Sequence, residues 1–534
     1  FLGESAAAGW FYAPHVTPAA VLESYLRSTA GASYTVVNLA RIDLDQAGLV
    51  ALARASLQLN PDAIVIYAGN NWGVQFGAAD FLGVSNYHAA ARAYRTEGPA
   101  GLMRVSAEGV RHAATETMAA LARAAGSVRV VFVVPEVNLS DWERARPVPW
   151  LPGDSSARWH ELYDESRDAA RRGDWPASIE RARAMIALDG GCCATSHRLL
   201  ANALAAVGDL LEARKAARAE VSARAWDNHP HTPSATPEIQ EAIRVAAAEH
   251  GFRCVDLPAL VADRAGRDVM LDYCHLTLEG MALSMRAVAR ELLSLGGVED
   301  APASEWRQPV APREVDARAR FLAGLYGTHW STRRTGRNGA SARWLDDALD
   351  AWPGIADEMR AYVSTRCAPP EWLRYSIAQQ SVRESGADVD GRVLAGPNID
   401  VHAVEAIRAA LEARGHTLDG AFSAHDLQTG PVDLLGDAYG WNVLDRWEST
   451  AGFSHPRRAF FRAVWPVSRF SLVWSGPSSV AIALTARLAA IAGPRQGDAV
   501  VSVNGHRVAA VALTERWRPE TIVLPADVPH GGLN

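Results

Sequence analysis

The chain has 534 residues, which at roughly 100–200 residues per domain suggests three or four domains. Hydrophobic residues make up 49% and charged residues 21%. The 53 Lys+Arg against 60 Asp+Glu leave a net charge of −7, which argues against a general nucleic-acid binder. Lys215 is the single lysine among the 53 cations, so Schiff-base chemistry at any other position and a P-loop lysine are both excluded.

Up to about residue 150, short apolar runs alternate with helical patterns, which predicts a parallel sheet covered by helices. Residues 34–38, 63–67 and 128–134 read as buried strands, and 18–29, 48–59 and 106–125 as helices. A fourth strand, 252–257, follows the third only after more than a hundred residues, so an insert lies between them. That insert, residues 155–231, is helical. Gly173-Asp174 and Gly208-Asp209 read as turns 35 residues apart, followed by alanine-rich helices at 177–188 and 211–223. A helical pair at that period resembles a tetratricopeptide unit, although an ordinary helical hairpin has the same pattern. Either needs neighbours to bury its faces, so it is expected to pack on the α/β domain or on a protein partner.

Pro302, Pro309 and Pro312 mark a linker at 298–313. Residues 314–430 read as helical, with Trp330, Trp344, Trp352 and Trp372 spaced along them. From 431 to 534 the pattern changes to short strands at 470–474, 480–489, 499–503, 507–513 and 520–524. Asn504-Gly505 is a strong hairpin signal, and the whole predicts a β-sandwich-like module cut at its last strand. Ten of the 17 tryptophans fall between Trp306 and Trp517. They either fill cores or form a sugar-stacking platform.

Three short stretches carry chemistry. Phe1-Leu-Gly-Glu-Ser5-Ala-Ala-Ala-Gly9 reads as a strand end, a turn glycine and a serine opening a helix. That places Ser5 at the carboxyl edge of a parallel sheet, where α/β active sites form; an N-cap serine has the same look. Tyr67-Ala-Gly69-Asn70-Asn71-Trp72 places an asparagine amide at the next strand end, suited to an oxyanion or to a turn. In Leu271-Asp272-Tyr-Cys-His275-Leu-Thr277, a carboxylate three residues from a histidine can hold one ring nitrogen and leave the other to take a proton. Thr277 reads as the cap of the following helix.

In the order Ser, Asn, Asp-x-x-His, these pieces resemble the GDSL-type SGNH hydrolases. Val36-Val-Asn38, Val134-Pro135-Glu136-Val-Asn138 and His275-Leu-Thr277-Leu-Glu-Gly280 fit further motifs of that family. The helical pair, with Asn138-Leu-Ser-Asp141-Trp142 and Pro233-Ser-Ala-Thr-Pro-Glu-Ile-Gln240, resembles a subgroup with tetratricopeptide-like repeats inside the hydrolase domain. The resemblance covers about residues 1–296. It implies a flavodoxin-like three-layer α/β domain formed by 1–150 and 232–297. Catalysis would fall to Ser5 as nucleophile, His275 as base and Asp272 as its orienter. The oxyanion donors would be the Ser5 N–H, the Asn70 side chain and a backbone N–H near Asp43. The sequence departs from the family at Glu4, where Asp is usual, at Asn71, also usually Asp, and at Leu276, usually Pro. The second-motif glycine is missing, its place falling near Asp43 or Ala40.

Competing signals are poor. There is no G-x-S-x-G elbow and no G-x-G-x-x-G after a strand. His229-Pro-His231 lies in a proline-rich stretch without acidic or thiol partners and reads as a loop, so neither metal nor cofactor is expected. Five cysteines, two of them the adjacent Cys192-Cys193, form no disulfide framework, and a cytoplasmic setting is expected. Both ends read as cut, which keeps secretion open. No apolar run reaches the roughly 18–20 residues that span a bilayer. The expected activity is that of a serine esterase or deacylase acting on an acyl ester, an acetyl ester among them, on a small molecule, glycan or glycosylated substrate. The alternatives are an acyl transferase using the same triad and a non-catalytic binding scaffold.

Overall fold

A computed structural model describes residues 1–30, 34–42, 44–73, 78–139, 151, 153–227, 234–262, 264, 266–297, 306–331, 339–367, 401–418, 473–474, 480–488, 496–529 and 531–533. The chain divides into two units, Phe1–Ala323 and Gly324–Asn534. The first runs β1 (Leu2–Gly3), α1 (Ser5–Ala8), α2 (Pro18–Ala30), α3 (Gln46–Ser56), β2 (Ala63–Tyr67), α4 (Ala78–Glu97), α5 (Pro99–Ala125) and β3 (Arg129–Val134). Four helices follow, α6 (Gly153–Arg171), α7 (Trp175–Asp189), α8 (Ala194–Ala206) and α9 (Leu210–Asp227). Then come α10 (Pro237–Glu249), β4 (Arg253–Asp256), α11 (Leu257–Leu260), α12 (Gly266–Val269) and α13 (Leu278–Leu295).

The four strands form one parallel sheet in the order β1-β2-β3-β4. Gly3 lies opposite Tyr67 and Tyr67 opposite Val133, so the carboxyl ends of the first three strands meet at one edge. Their sequences, AIVIY and RVVFVV, are near-continuous apolar runs because a parallel sheet is buried on both faces. Alternation divides the labour. Ile64, Ile66, Val130, Phe132 and Val134 pack with Leu49 of α3, Met118 and Leu121 of α5, and Ile239 and Ile243 of α10. Val65, Val131 and Val133 are also buried and turn to the face where α2 and α13 pack on each other and α13 on β3. Each fully buried side chain of this size contributes about 1.5–3 kcal/mol.

No strand is formed over the expected 34–38, although a segment three residues on bonds to β1. Phe1 N–H donates to Val37 O at 2.8 Å, Leu39 N–H to Phe1 O at 2.9 Å and Arg41 N–H to Gly3 O at 3.0 Å. This is the spacing of a parallel ladder, but it runs over 37–41. Side chains of α2 divert the preceding residues: Glu23 accepts the Val36 N–H at 2.6 Å and Arg27 donates to Tyr34 O at 2.8 Å.

Between β3 and β4, α6–α9 form two helical hairpins in which each helix packs on the next. Both Gly-Asp turns work alike. Gly173 and Gly208 take positive φ (76° and 84°), Asp174 accepts the Ala177 N–H at 3.2 Å and Asp209 the Glu212 N–H at 3.3 Å. The first hairpin has its own core of Trp159, Leu162, Tyr163, Met185 and Cys193.

The described part of the expected linker, 306–312, is bonded to the first unit. Trp306 donates to Ser24 Oγ at 3.3 Å and stacks edge-on against Tyr25 with centroids 5.1 Å apart. Gln308 donates to Leu278 O at 2.8 Å, and beyond the prolines Asp316 accepts from Tyr12 Oη at 2.9 Å. The division between the units falls inside the helix Arg313–Ser331, because an indole and a carboxylate pin its approach to α2 and to the Tyr12 turn.

In the second unit, helices Gly339–Ala351, Ile355–Cys367 and Val401–Glu412 bury Leu345, Met359, Val363, Ile407 and Leu411. Trp344 is buried there as core. Among the described residues the carboxyl-terminal strands are antiparallel pairs: Val473–Trp474 with Gly532–Leu533, Ala481–Ala486 with Arg518–Val523, and Gln496–Val503 with His506–Thr514. Asn504 and Gly505, both at positive φ (50° and 82°), close the last pair as a two-residue hairpin. The second and third pairs share a small core around Val511, Ile522 and Leu524. Trp352 is half-buried, and Trp372, Trp441, Trp447 and Trp465 lie outside the described residues. Cys192, Cys193, Cys254 and Cys274 are free thiols, and no helix among the described residues is long and apolar enough to cross a membrane.

Candidate active site

Ser5 opens α1 directly after β1. The link is tight because Gly3 has no Cβ: one built there would lie 2.0 Å from Tyr67 O, and its φ of 151° disfavours any other residue. As the first helical residue, Ser5 has a backbone N–H without an i−4 partner.

His275 and Asp272 come from the loop between α12 and α13, which closes on itself through the Met270–Leu276 bridge and a Leu271 N–H to His275 O bond of 2.8 Å. Thr277 caps α13 by accepting the Gly280 N–H at 3.0 Å. Gly280 is required there, since a Cβ would meet Val269 O at 2.1 Å. Both loop side chains are buried in consequence.

The resulting geometry is a relay. His275 Nε2 lies 2.8 Å from Ser5 Oγ, and His275 Nδ1 lies 2.6 Å from Asp272 Oδ2. Asp272 Oδ1 accepts the backbone N–H groups of Cys274 and His275, each at 2.8 Å. The carboxylate is thereby fixed before it orients the ring, and it selects the tautomer with hydrogen on Nδ1 and a lone pair facing the serine. The Phe11 ring packs edge-on against His275 with centroids 5.2 Å apart, and Asn138 ties the loop to the end of β3 by donating to Asp272 O at 3.1 Å.

Asn70 begins a short 3-10 turn after β2 and is 2% exposed. Its Oδ1 makes no hydrogen bond among the described residues. Asn71, in contrast, is held by its side-chain bond to Leu44 O at 3.1 Å. Asp43 lies outside the described residues. Ala40, the other place considered for the missing glycine, gives its N–H to Asn38 Oδ1 at 3.1 Å. His229 and His231 also lie outside the described residues, as do Asp141 and Trp142.

Asp272, Cys274 and His275 present ligand atoms within 4.8 Å of one another. Both nitrogens of His275 are already engaged, one by Asp272 and one by Ser5, so the ring as it stands offers no free lone pair to a metal.

Two buried residues at the site have partners that no local sequence pattern reveals. Glu4, beside Ser5, is buried and accepts the N–H groups of Gly69 at 3.2 Å and Asn71 at 3.0 Å. Burial pushes its carboxyl up to about 7, while the N–H groups of Asn71, Gly69 and Asn70 pull the other way. Glu136, at the end of β3, accepts from Arg218 of α9 at 2.7 Å and lies 3.5 Å from Arg214 of the same helix. Gln240 of α10 completes this cluster by donating to Pro135 O at 2.9 Å and approaching Glu136 Oε1 at 3.3 Å. Only the fold brings these partners together. No known protein family, curated protein or solved structure matches this chain.

Proposed function

We propose that the chain is a serine esterase or deacylase of the GDSL-type SGNH kind, acting on an acyl ester such as an acetyl group carried by a glycan. The observation that carries this reading is the unbroken relay from Asp272 through His275 to Ser5, at 2.6 and 2.8 Å. Ser5 Oγ attacks the ester carbonyl as His275 Nε2 takes its proton, and the imidazolium is stabilised by the Asp272 carboxylate. The carbonyl oxygen, now charged, is met by the Ser5 N–H and the Asn70 amide. Collapse expels the alcohol, which takes the proton from His275 and leaves an acyl-serine. Water, deprotonated by the same nitrogen, then releases the acid and restores Ser5.

The topology supports the same reading. Counting 37–41 as the second strand, the sheet order becomes 2-1-3-4-5, the flavodoxin-like order, with the site at the carboxyl ends of the strands. In this reading α6–α9 are two tetratricopeptide-like hairpins inserted into the hydrolase domain, and the carboxyl-terminal pairs belong to a β-sandwich. The test is covalent labelling with a fluorophosphonate together with a screen over short acyl esters and acetylated sugars. Wild type should label at Ser5 and turn over at least one ester, and Ser5→Ala should do neither. An unlabelled wild type would favour a binding scaffold.

A further inference from the structure

Glu4 is a buried carboxyl group that the esterase steps above do not use. It is bonded covalently to Ser5, and its carboxylate brackets Asn70 from both sides, with Oε1 on the Gly69 N–H at 3.2 Å and Oε2 on the Asn71 N–H at 3.0 Å. Its own N–H donates to Tyr67 O at 3.3 Å, so the end of β1 and the turn after β2 are joined through one residue. Asn70 Oδ1 makes no hydrogen bond among the described residues, so the side chain takes no hold through that atom.

Resting on the esterase reading, we propose that Glu4 is the positioning residue that sets the Asn70 amide relative to Ser5 Oγ, and that it acts as a carboxylate. Here each carboxylate oxygen accepts one of the two N–H groups. Replacement by Gln puts an NH₂, which can only donate, against one of those N–H groups, and protonation weakens the acceptor at one oxygen, so the bracket loosens on one side. The titratable neighbours of this buried region are Tyr67 on β2, whose phenol is influenced by Glu4, Glu136 at the end of β3, and Asp272 and Cys274 in the histidine loop. None of these supplies an alternative acceptor to the Gly69 and Asn71 N–H groups, whose hydrogen bonds go to Glu4.

The full chain tests this with p-nitrophenyl acetate as substrate and a fluorophosphonate to count active serines. Glu4→Gln should lower kcat per labelled site by about 10–100-fold with KM within about twofold, somewhat less than removal of one oxyanion donor. In an Asn70→Ala background the same change should cost less than about threefold, because two residues acting through one interaction are not additive. Glu4→Asp, a methylene shorter, should fall between wild type and Gln, and the Glu4→Asp/Asn70→Ala pair supplies the same comparison if the Gln variant is insoluble. A purely structural Glu4 would reduce the fraction of labelled sites without changing kcat per site. A Glu4→Gln enzyme with wild-type kcat, or an effect undiminished by Asn70→Ala, overturns the assignment. If wild type labels and turns over while Glu4→Gln is unchanged, only the assignment falls. If wild type does not label at all, the esterase reading falls and takes the assignment with it.

Discussion

Arg218 of the inserted helix α9 donates to Glu136 at 2.7 Å, although 82 residues separate them. Glu136 is 2% exposed at the end of β3, so its charge depends on Arg218, on Arg214 and on Gln240 for compensation. The insert is therefore part of the support of the strand edge that carries the site. Arg218→Ala should lower stability to urea by about 2–3 kcal/mol, less than a full buried-pair break because Arg214 and Gln240 remain. The double Arg214→Ala/Arg218→Ala variant should lose more than either single one. An unchanged unfolding midpoint in the double variant would contradict this.

The relay predicts unequal losses. Ser5→Ala and His275→Ala should each reduce ester turnover by several orders of magnitude, since a triad member acts as part of a unit. Asp272→Asn should cost about 10²–10⁴ in kcat through the wrong tautomer. It should also lower the melting temperature, because Asp272 Oδ1 holds two backbone N–H groups of its own loop. Turnover by purified Ser5→Ala at the wild-type rate would remove the assignment.

Asn70 separates an oxyanion role from a turn role. Its Oδ1 bonds nothing among the described residues, so Asn70→Ala removes no hydrogen bond at that atom. The expected outcome is a fall in kcat of about 10²–10³ with little change in KM, and a melting temperature close to wild type. A collapsed melting transition with kcat per folded molecule preserved would assign Asn70 to the turn.

Glu4 gives the protein a measurable pH dependence of stability. Its folded carboxyl sits at about 7 against an ordinary 4.5. The folded state thus holds this proton more tightly than the unfolded state, and the stabilisation is complete below pH 4.5 and lost as pH rises through about 7. The loss amounts to about 3 kcal/mol. Glu4→Gln has no such proton, so the stability difference between wild type and variant, followed by urea unfolding from pH 5 to pH 8, should shift by that amount in favour of the variant. A pH-independent difference would show that the carboxyl is not raised.

The contacts of Trp306 and Asp316 set where the first unit can be cut. A fragment ending at 331 keeps the Tyr25 stack, the Ser24 bond and the Tyr12 bond, and should turn over a small soluble ester. A fragment ending at 297 loses all three and should melt lower by about 5 °C or more. Equal melting temperatures for the two fragments would make 306–316 an ordinary linker.

The sequence by itself determined the strands at 63–67, 128–134 and 252–257 to within two residues, since buried parallel strands need continuous β-branched runs. It also determined both Gly-Asp turns and the Asn504-Gly505 hairpin, where a left-handed backbone calls for Gly or Asn. Asp272 and His275 were legible as a pair because three residues of tight loop leave few other ways to satisfy them. Their approach to Ser5, 270 residues away, was visible only as a motif order, and the 2.8 Å contact is set by the sheet that brings β1 beside α13's approach loop. The bonds that join 37–41 to β1 lie three residues beyond the expected strand because Glu23 and Arg27 act from another helix. The partners of Glu4, Glu136 and Trp306 were decided by tertiary structure alone. Each of these residues carries a polar group or ring whose partners lie more than 60 residues away, and no local periodicity records which distant donors a buried side chain will meet.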